Sequence, residues 1–279
     1  MRGLWMVLLL WSALALAERP LALATIPPYA SLMQRVLGEG WEVRALVPPG
    51  ANPHVYAPRP SDMKAVRQAK LIVQNGLGFD DWLLEKLVEP AGAKARILAA
   101  AESAEGLVLP APNGKPDPHL WTDPLAMGLF VCDLARAAGE LDPEGKAGYL
   151  ERARALKIEL VRLLQTAQGE VRRAPKKAFV AYKNPFTYVA ARLGLERAYL
   201  IGKTPAAEPT ARELVEARKV LARLGLKAIV APYQLRREAD RVAKNLGVRA
   251  VYLDLLGEQD PDYLATWEAN YRALLSALK

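Results

Sequence analysis

The chain is poor in the side chains that most often bind metals. Its 279 residues include one cysteine, Cys132, and two histidines, His54 and His119. One cysteine excludes an internal disulfide and every Cys-rich zinc site. Two histidines exclude a three-His site, so a His-based metal site or general base must use His54 or His119. No apolar run of 18 residues follows the N-terminus, so nothing later in the sequence reads as a membrane span. Gly-x-Ser-x-Gly and His-Glu-x-x-His are both absent, which removes two hydrolase signatures. What remains is ordinary for a globular protein: 52% hydrophobic, 24% charged, 21 Pro and 19 Gly. Disordered and collagen-like chains are excluded.

The formal net charge is +8, of which Arg2 contributes one. Cations alternate with acids, as in Arg212-Glu213 and Arg236-Arg237-Glu238. Such mixing reads as solvated helix faces and not as a nucleic-acid surface. No nucleic-acid partner is expected.

Residues 1–17 read as a secretory signal peptide. Met1-Arg2-Gly3 is a short positive start, Leu4 to Leu14 is apolar, and Ala15-Leu16-Ala17 is a small-residue cleavage site before Glu18-Arg19. The alternative is an uncleaved anchor helix, for which the run is short. No Cys follows the run to carry a lipid. The mature chain is expected to start near Glu18 and to be periplasmic, soluble and monomeric.

Strand and helix signals then alternate. Leu21 to Thr25, Glu42 to Val47, Leu71 to Val73 and Ala95 to Leu98 read as strands. Tyr29 to Leu37, Pro60 to Lys70, Asp80 to Val88 and Pro124 to Leu141 read as helices. Ser103 to Pro118, with four Pro and two Gly, reads as a surface loop. From Pro143 to Arg173 a single amphipathic pattern runs, with Tyr149, Ala153, Leu156, Leu160, Leu163 and Leu164 on its apolar stripe. Strands then recur at 178–181, 198–201, 228–230 and 251–253, with helices at 185–193, 209–224, 236–246 and 262–278. The expected fold is α/β: two lobes, each with a mainly parallel four-stranded sheet flanked by helices. The lobes would span 18–141 and 174–279, joined by a long helix over 142–173. A single doubly wound domain is the alternative.

Both histidines fall in loops with Pro-fixed flanks. His54 lies in Pro48-Pro49-Gly50-Ala51-Asn52-Pro53-His54-Val55-Tyr56, just after a strand, at the edge where α/β sheets bind ligands. His119 lies in Asp117-Pro118-His119-Leu120-Trp121-Thr122-Asp123-Pro124. Neutral imidazole suits zinc and its neighbours. The plain alternative for each is a hydrogen-bonded loop residue.

Those two segments are joined, in order, by Pro58-x-Pro60-Ser61-Asp62, Asn75-Gly76-x-Gly78-x-Asp80-x-Trp82, Glu208-Pro209-Thr210 and Leu253-Asp254-Leu255-Leu256-Gly257. Together they resemble the zinc/manganese-type (cluster A-I) solute-binding proteins of bacterial ABC importers, over essentially the whole mature chain. The resemblance implies two lobes joined by a rigid helix and a divalent metal, Zn²⁺ or Mn²⁺, in the cleft between them. It implies delivery to a membrane permease and no catalysis. By position it makes His54 and His119 the first two metal ligands and Asp254 the last. The plain alternative for Asp254 is a turn or N-cap aspartate.

The third ligand position departs from the family's His or Glu. Lys183 occupies it, in Lys183-Asn184-Pro185-Phe186-Thr187-Tyr188. An ammonium has no lone pair, and deprotonating an ordinary lysine at pH 7 costs about 4.6 kcal/mol. A nearby dication would offset much of that cost. Three readings stay open. The metal has His54, His119 and Asp254 only, with water or a small anion and Lys183 beside it. Alternatively Tyr182, Asn184 or Glu208 fills the gap, or the cleft binds a metal chelate or an anion that Lys183 pairs with. The family's zinc branch often has a His-rich loop between the first two motifs. Here Ser103 to Pro118 has no His, so it does not select zinc. A metallo-hydrolase, with Lys183 stabilising an oxyanion, and a surface adhesin are the competing classes.

Overall fold

The computed structural model describes residues 19–183, 185–203 and 207–279. The signal-peptide reading therefore lies outside the described residues, as does Asn184.

The first lobe runs β1 (Leu21–Ala24), α1 (Pro27–Leu37), β2 (Glu42–Ala45), α2 (Pro60–Gln68), β3 (Leu71–Gln74), α3 (Asp81–Ala91), β4 (Arg96–Ala99), the short α4 (Ala100–Ser103) and α5 (Pro124–Leu141). Next comes α6 (Lys146–Arg173). The second lobe runs β5 (Ala178–Tyr182), α7 (Thr187–Leu193), β6 (Glu196–Ile201), α8 (Ala211–Leu224), β7 (Ala228–Pro232), α9 (Arg236–Leu246), β8 (Arg249–Leu253) and α10 (Tyr263–Ala277). The sheets have strand orders β2-β1-β3-β4 and β6-β5-β7-β8, and every strand pairing is parallel. Two separate sheets with one repeated topology replace the single doubly wound alternative.

The apolar runs become strands because parallel sheets are covered on both faces. In β5 the two-residue period sends Phe179 and Ala181 into the large central core, and Val180 and Tyr182 into a second core under α8 and α9. The central core is continuous between the lobes. It runs from the first sheet through Phe130 and Leu134 on α5, Leu156 and Leu160 on α6 and Trp267 and Tyr271 on α10, to Phe179 and Val230 of the second sheet.

Helix α6 has 28 residues, hence a length of about 42 Å at 1.5 Å per residue. It bridges both sheets and buries Tyr149, Ala153, Leu156, Leu160, Leu164, Ala167 and Val171. Of the expected stripe only Leu163 is less than fully buried. The helix begins three residues later than the sequence pattern suggests. Pro143 to Gly145 form a turn in which the Asp142 carboxylate accepts from Gly145 N and from the Tyr149 hydroxyl. Ser103 to Pro118 is less featureless than expected: it holds a 3-10 turn at Glu105–Leu107 and a bridge between Pro110 and Pro116. Among the described residues no helix is long and apolar enough to cross a membrane.

Candidate functional site

In the first sheet, β1 and β3 are neighbours whose connections leave in opposite directions. Such a switch point opens a crevice at the C-terminal ends of the strands. A buried carboxylate organises its floor. Asp80, 3% exposed, accepts from Thr25 Oγ1 (2.5 Å), Asn75 N (2.7 Å) and Gly76 N (2.9 Å). The Tyr29 hydroxyl donates to Asn75 Oδ1 at 2.7 Å. Burial raises the Asp80 pKa despite these bonds, which pull the other way. The chain reaches Asp80 through three successive left-handed residues, Gly76, Leu77 and Gly78, with φ of 79°, 59° and 74°. Glycine adopts that region freely, whereas Leu77 does so at a cost. This turn presents Phe79 to the crevice.

Phe79 is where the two histidines meet. Its ring centroid lies 5.1 Å from that of His54, edge to face, and 6.5 Å from that of His119. Trp121 packs on both Phe79 (4.7 Å) and His119 (5.3 Å). His54 sits on a 3-10 turn, Pro53–Val55, fixed by Asn52 Oδ1 accepting from His54 N at 3.0 Å. Partial desolvation against these neighbours, and then the nearby His119, lower the His54 pKa below its ordinary 6.5. His54 is therefore neutral at pH 7, the form in which imidazole binds a metal.

His119 is held from behind. Its Nδ1 lies 2.7 Å from Asp117 Oδ1, and the same oxygen accepts from His119 N at 3.0 Å. Burial would raise the Asp117 carboxyl, but the hydrogen bond and charge of His119 outweigh it and hold the pKa below 3.8. A carboxylate on Nδ1 places the ring proton there and leaves the Nε2 lone pair available, the usual arrangement behind a metal-binding histidine.

The facing loop of the second lobe carries Asp254, 5% exposed, at the C-terminal end of β8. Its Oδ1 accepts from Leu256 N at 3.1 Å and its Oδ2 from Gln259 N at 2.8 Å. Asn270 on α10 brackets its backbone with bonds of 2.7 and 2.6 Å. Asp254 is thus a turn aspartate, with carboxylate lone pairs left over. The two loops are fastened to each other. Trp121 Nε1 donates to Leu255 O at 2.8 Å. Tyr263 Oη donates to Trp121 O at 2.7 Å, Trp267 Nε1 to Thr122 O at 3.0 Å and Tyr188 Oη to Asp117 O at 2.6 Å. The fully buried Asp123 pairs with Arg192 at 2.7 Å.

Lys183 points elsewhere. Its backbone is left-handed, φ 64°, and its N–H donates to Ile201 O at 3.0 Å. Its ammonium donates to Ala207 O at 2.8 Å and its side chain lies against Gly202. Both contacts are on the β6 side of β5, whereas Asp254 follows β8 on the other side. Desolvation lowers the Lys183 pKa, while Glu208 and Glu213 pull it back up. Tyr182 is buried in the outer core, and Glu208 is exposed near Arg241 at 3.4 Å. Neither joins the histidines. Among the described residues no three His, Cys, Asp or Glu side chains are grouped closely enough to hold a metal ion. The structure therefore brings His54 and His119 to one ring. It places Asp254 on the loop tied to that of His119, and turns Lys183 away.

Sequence reasoning missed Phe79, an unmarked position inside Asn75-Gly76-x-Gly78-x-Asp80. It also assigned nothing to Asp117 or Trp121, though both stand in the His119 motif. Their spacing of two residues on either side of His119 was the available signal.

Comparison with known proteins gives a consistent picture. The family model described as zinc-uptake complex component A, periplasmic, matches residues 23–277. The high-affinity zinc uptake system protein ZnuA of Brucella abortus is 24% identical over 306 aligned positions, covering 94% of this chain and 91% of that protein. A zinc-bound deletion mutant of ZnuA superposes with a TM-score of 0.83 at 26% identity, covering 94% of this chain and 99% of that one. The laminin-binding protein Lmb of Streptococcus agalactiae, described as having adhesin and metal-transporting activity, superposes with a TM-score of 0.82 at 26% identity. It is covered in full, with 94% of this chain.

Proposed function

Because the chain belongs to the zinc-uptake component A family, we propose that it captures one divalent transition metal, zinc or manganese, outside the cytoplasm for an ABC uptake system. It is a solute-binding protein and not an enzyme. The metal is cargo, passed on to the membrane permease. Residues 1–17 direct export and are then removed, and the chain acts as a monomer.

His54 and His119 are the first donors in this reading. The observation that carries it is their convergence on Phe79, one neutral at pH 7 and the other oriented by Asp117. Asp254 supplies a carboxylate oxygen from the facing loop, which must draw in on the metal because the three side chains are not grouped in this structure, and water completes the shell. Lys183 is a strut for the loop after β6. Four-coordinate zinc accepts such a set of nitrogen and oxygen donors.

Calorimetric titration with zinc and with manganese tests the assignment. The unsubstituted protein is expected to bind one equivalent. The double variant His54→Ala/His119→Ala is expected to bind none, and stoichiometric binding in that variant would refute the site.

A further inference from the structure

The His54 side chain is exposed. The residue's backbone N–H is fixed by Asn52, and the ring contact its imidazole makes is with Phe79, edge to face at 5.1 Å. The same ring lies 6.5 Å from His119 and 4.7 Å from Trp121. Trp121 in turn bonds to Leu255, next to Asp254. Phe79 is thus a ring that links His54 to His119 and, through Trp121, to the facing loop.

Phe79 is itself immobilised. It is 4% exposed, and its neighbour Asp80 is anchored by Thr25, Asn75 and Gly76 at the ends of two adjacent strands. A left-handed Leu77 is a backbone cost kept in place by this network. Edge-to-face packing has angular preferences, so such a contact orients a ring as well as burying it.

We propose that Phe79, anchored through Asp80, is a positioning residue that sets the spacing and angle between the His54 and His119 imidazoles and thereby the coordination geometry of the bound metal. This rests on the reading of His54 and His119 as metal donors. Phe79 offers no donor atom. It acts on the site as outer-shell groups do, whose loss typically weakens metal binding about 10–100-fold.

The test uses the mature chain and two metals. Zinc affinity is measured by competition with a chelating dye, and Co²⁺ is the spectroscopic probe, because its visible absorption reports coordination number and symmetry. Phe79→Leu keeps an apolar side chain and removes the ring. Phe79→Ala removes the packing altogether. Leu160→Ala, a fully buried change on α6, controls for general loss of stability. Phe79→Leu is expected to keep the far-ultraviolet circular dichroism of the parent, weaken zinc about 10–100-fold and alter the Co²⁺ bands. Phe79→Ala should do more, and Leu160→Ala should lower the melting temperature with parental affinity and spectrum. Parental affinity and an unchanged Co²⁺ spectrum in Phe79→Leu would overturn the proposal while leaving the metal site standing. The same losses in Leu160→Ala would also overturn it. If the unsubstituted chain binds neither metal, the reading of the site fails, and the role of Phe79 fails with it.

Discussion

Replacing Lys183 separates the three roles that a lysine at a ligand position can have. The strut reading rests on one observation: the ammonium donates to Ala207 O, on the side of β5 away from Asp254. Lys183→Ala removes a hydrogen bond with a net worth of about 0.5–1.5 kcal/mol. It keeps the left-handed backbone, which costs a side-chain-bearing residue about 1–2 kcal/mol. Lys183→Gly loses the same bond and relieves that strain. Glycine should therefore be more stable than alanine by about 1 kcal/mol, or about 2–4 °C in Tm for a chain of this size. Zinc affinity should stay within about threefold of the parent in both variants, with no slope between pH 8 and 9.

The other roles give different numbers. If Lys183 were a deprotonated ligand, metal binding would release its proton, and affinity would climb up to about tenfold per pH unit until its pKa is passed. Lys183→Ala would then bind much more weakly and lose the slope. If Lys183 were a bare cation about 5 Å from the metal, repulsion at an effective dielectric near 20 would reach about 7 kcal/mol, and Lys183→Ala would tighten binding by orders of magnitude. Dye competition between pH 6.5 and 9, with thermal melts of the apo proteins, reads all of these. A change above tenfold in either direction for Lys183→Ala refutes the strut. Equal melting temperatures for Gly and Ala refute the strain argument.

Because burial and His119 lower the His54 pKa, protons should compete with the metal for this residue at lower pH than they would for an ordinary imidazole. The apo protein should lose the stability associated with a neutral His54 as pH falls from 6.5 through the lowered pKa, and His54→Ala should flatten that limb of a pH-dependent melt. Arg192→Leu leaves Asp123 charged and fully buried between the lobes. The expected cost is about 3–5 kcal/mol, read as the shift in urea midpoint, and Asp123→Asn in the same chain should recover most of it. Asp117→Asn keeps the shape behind His119 but removes the charge, and zinc affinity should fall about 10–100-fold. Intact mass of the exported protein should correspond to a chain starting at Glu18; retained residues 1–17 or a lipid adduct would refute the cleavage reading.

Much of the fold was legible because it is written in period. Short apolar or alternating runs marked all eight strands, and the heptad-like stripe from Tyr149 to Leu164 marked the long helix within three residues at its start. That start was misplaced because the Asp142 carboxylate holds the preceding turn, a bond between neighbours that periodicity does not record. Histidine scarcity made His54 and His119 legible, since any His site had to contain one of them. Asp254 was located by the resemblance carried in Leu253-Asp254-Leu255-Leu256-Gly257. Its bonds to Leu256 and Gln259 depend on how the following loop folds back, and the sequence does not encode that in spacing.

Lys183 and Phe79 mark the limit from opposite sides. Lys183 stood at a position that drew attention, yet its role depends on a sign of φ. Left-handed backbone at a non-glycine residue is uncommon, and no local pattern in Lys183-Asn184-Pro185 announces it. The Lys183 side chain lies against Gly202 and donates to Ala207 O, on the β6 side of β5. Phe79 stood where one more apolar residue before a helix would attract no notice. Its importance comes from contacts with residues 25 and 40 positions away in sequence, made possible because β1, β3 and the two histidine loops end at one sheet edge. The motif Asn75-Gly76-x-Gly78-x-Asp80 marks the glycines and the aspartate that the backbone needs and leaves the side chain they position unmarked. Legibility from one sequence therefore favours residues whose backbone role is fixed, and passes over the side chain on which the geometry of the two imidazoles depends.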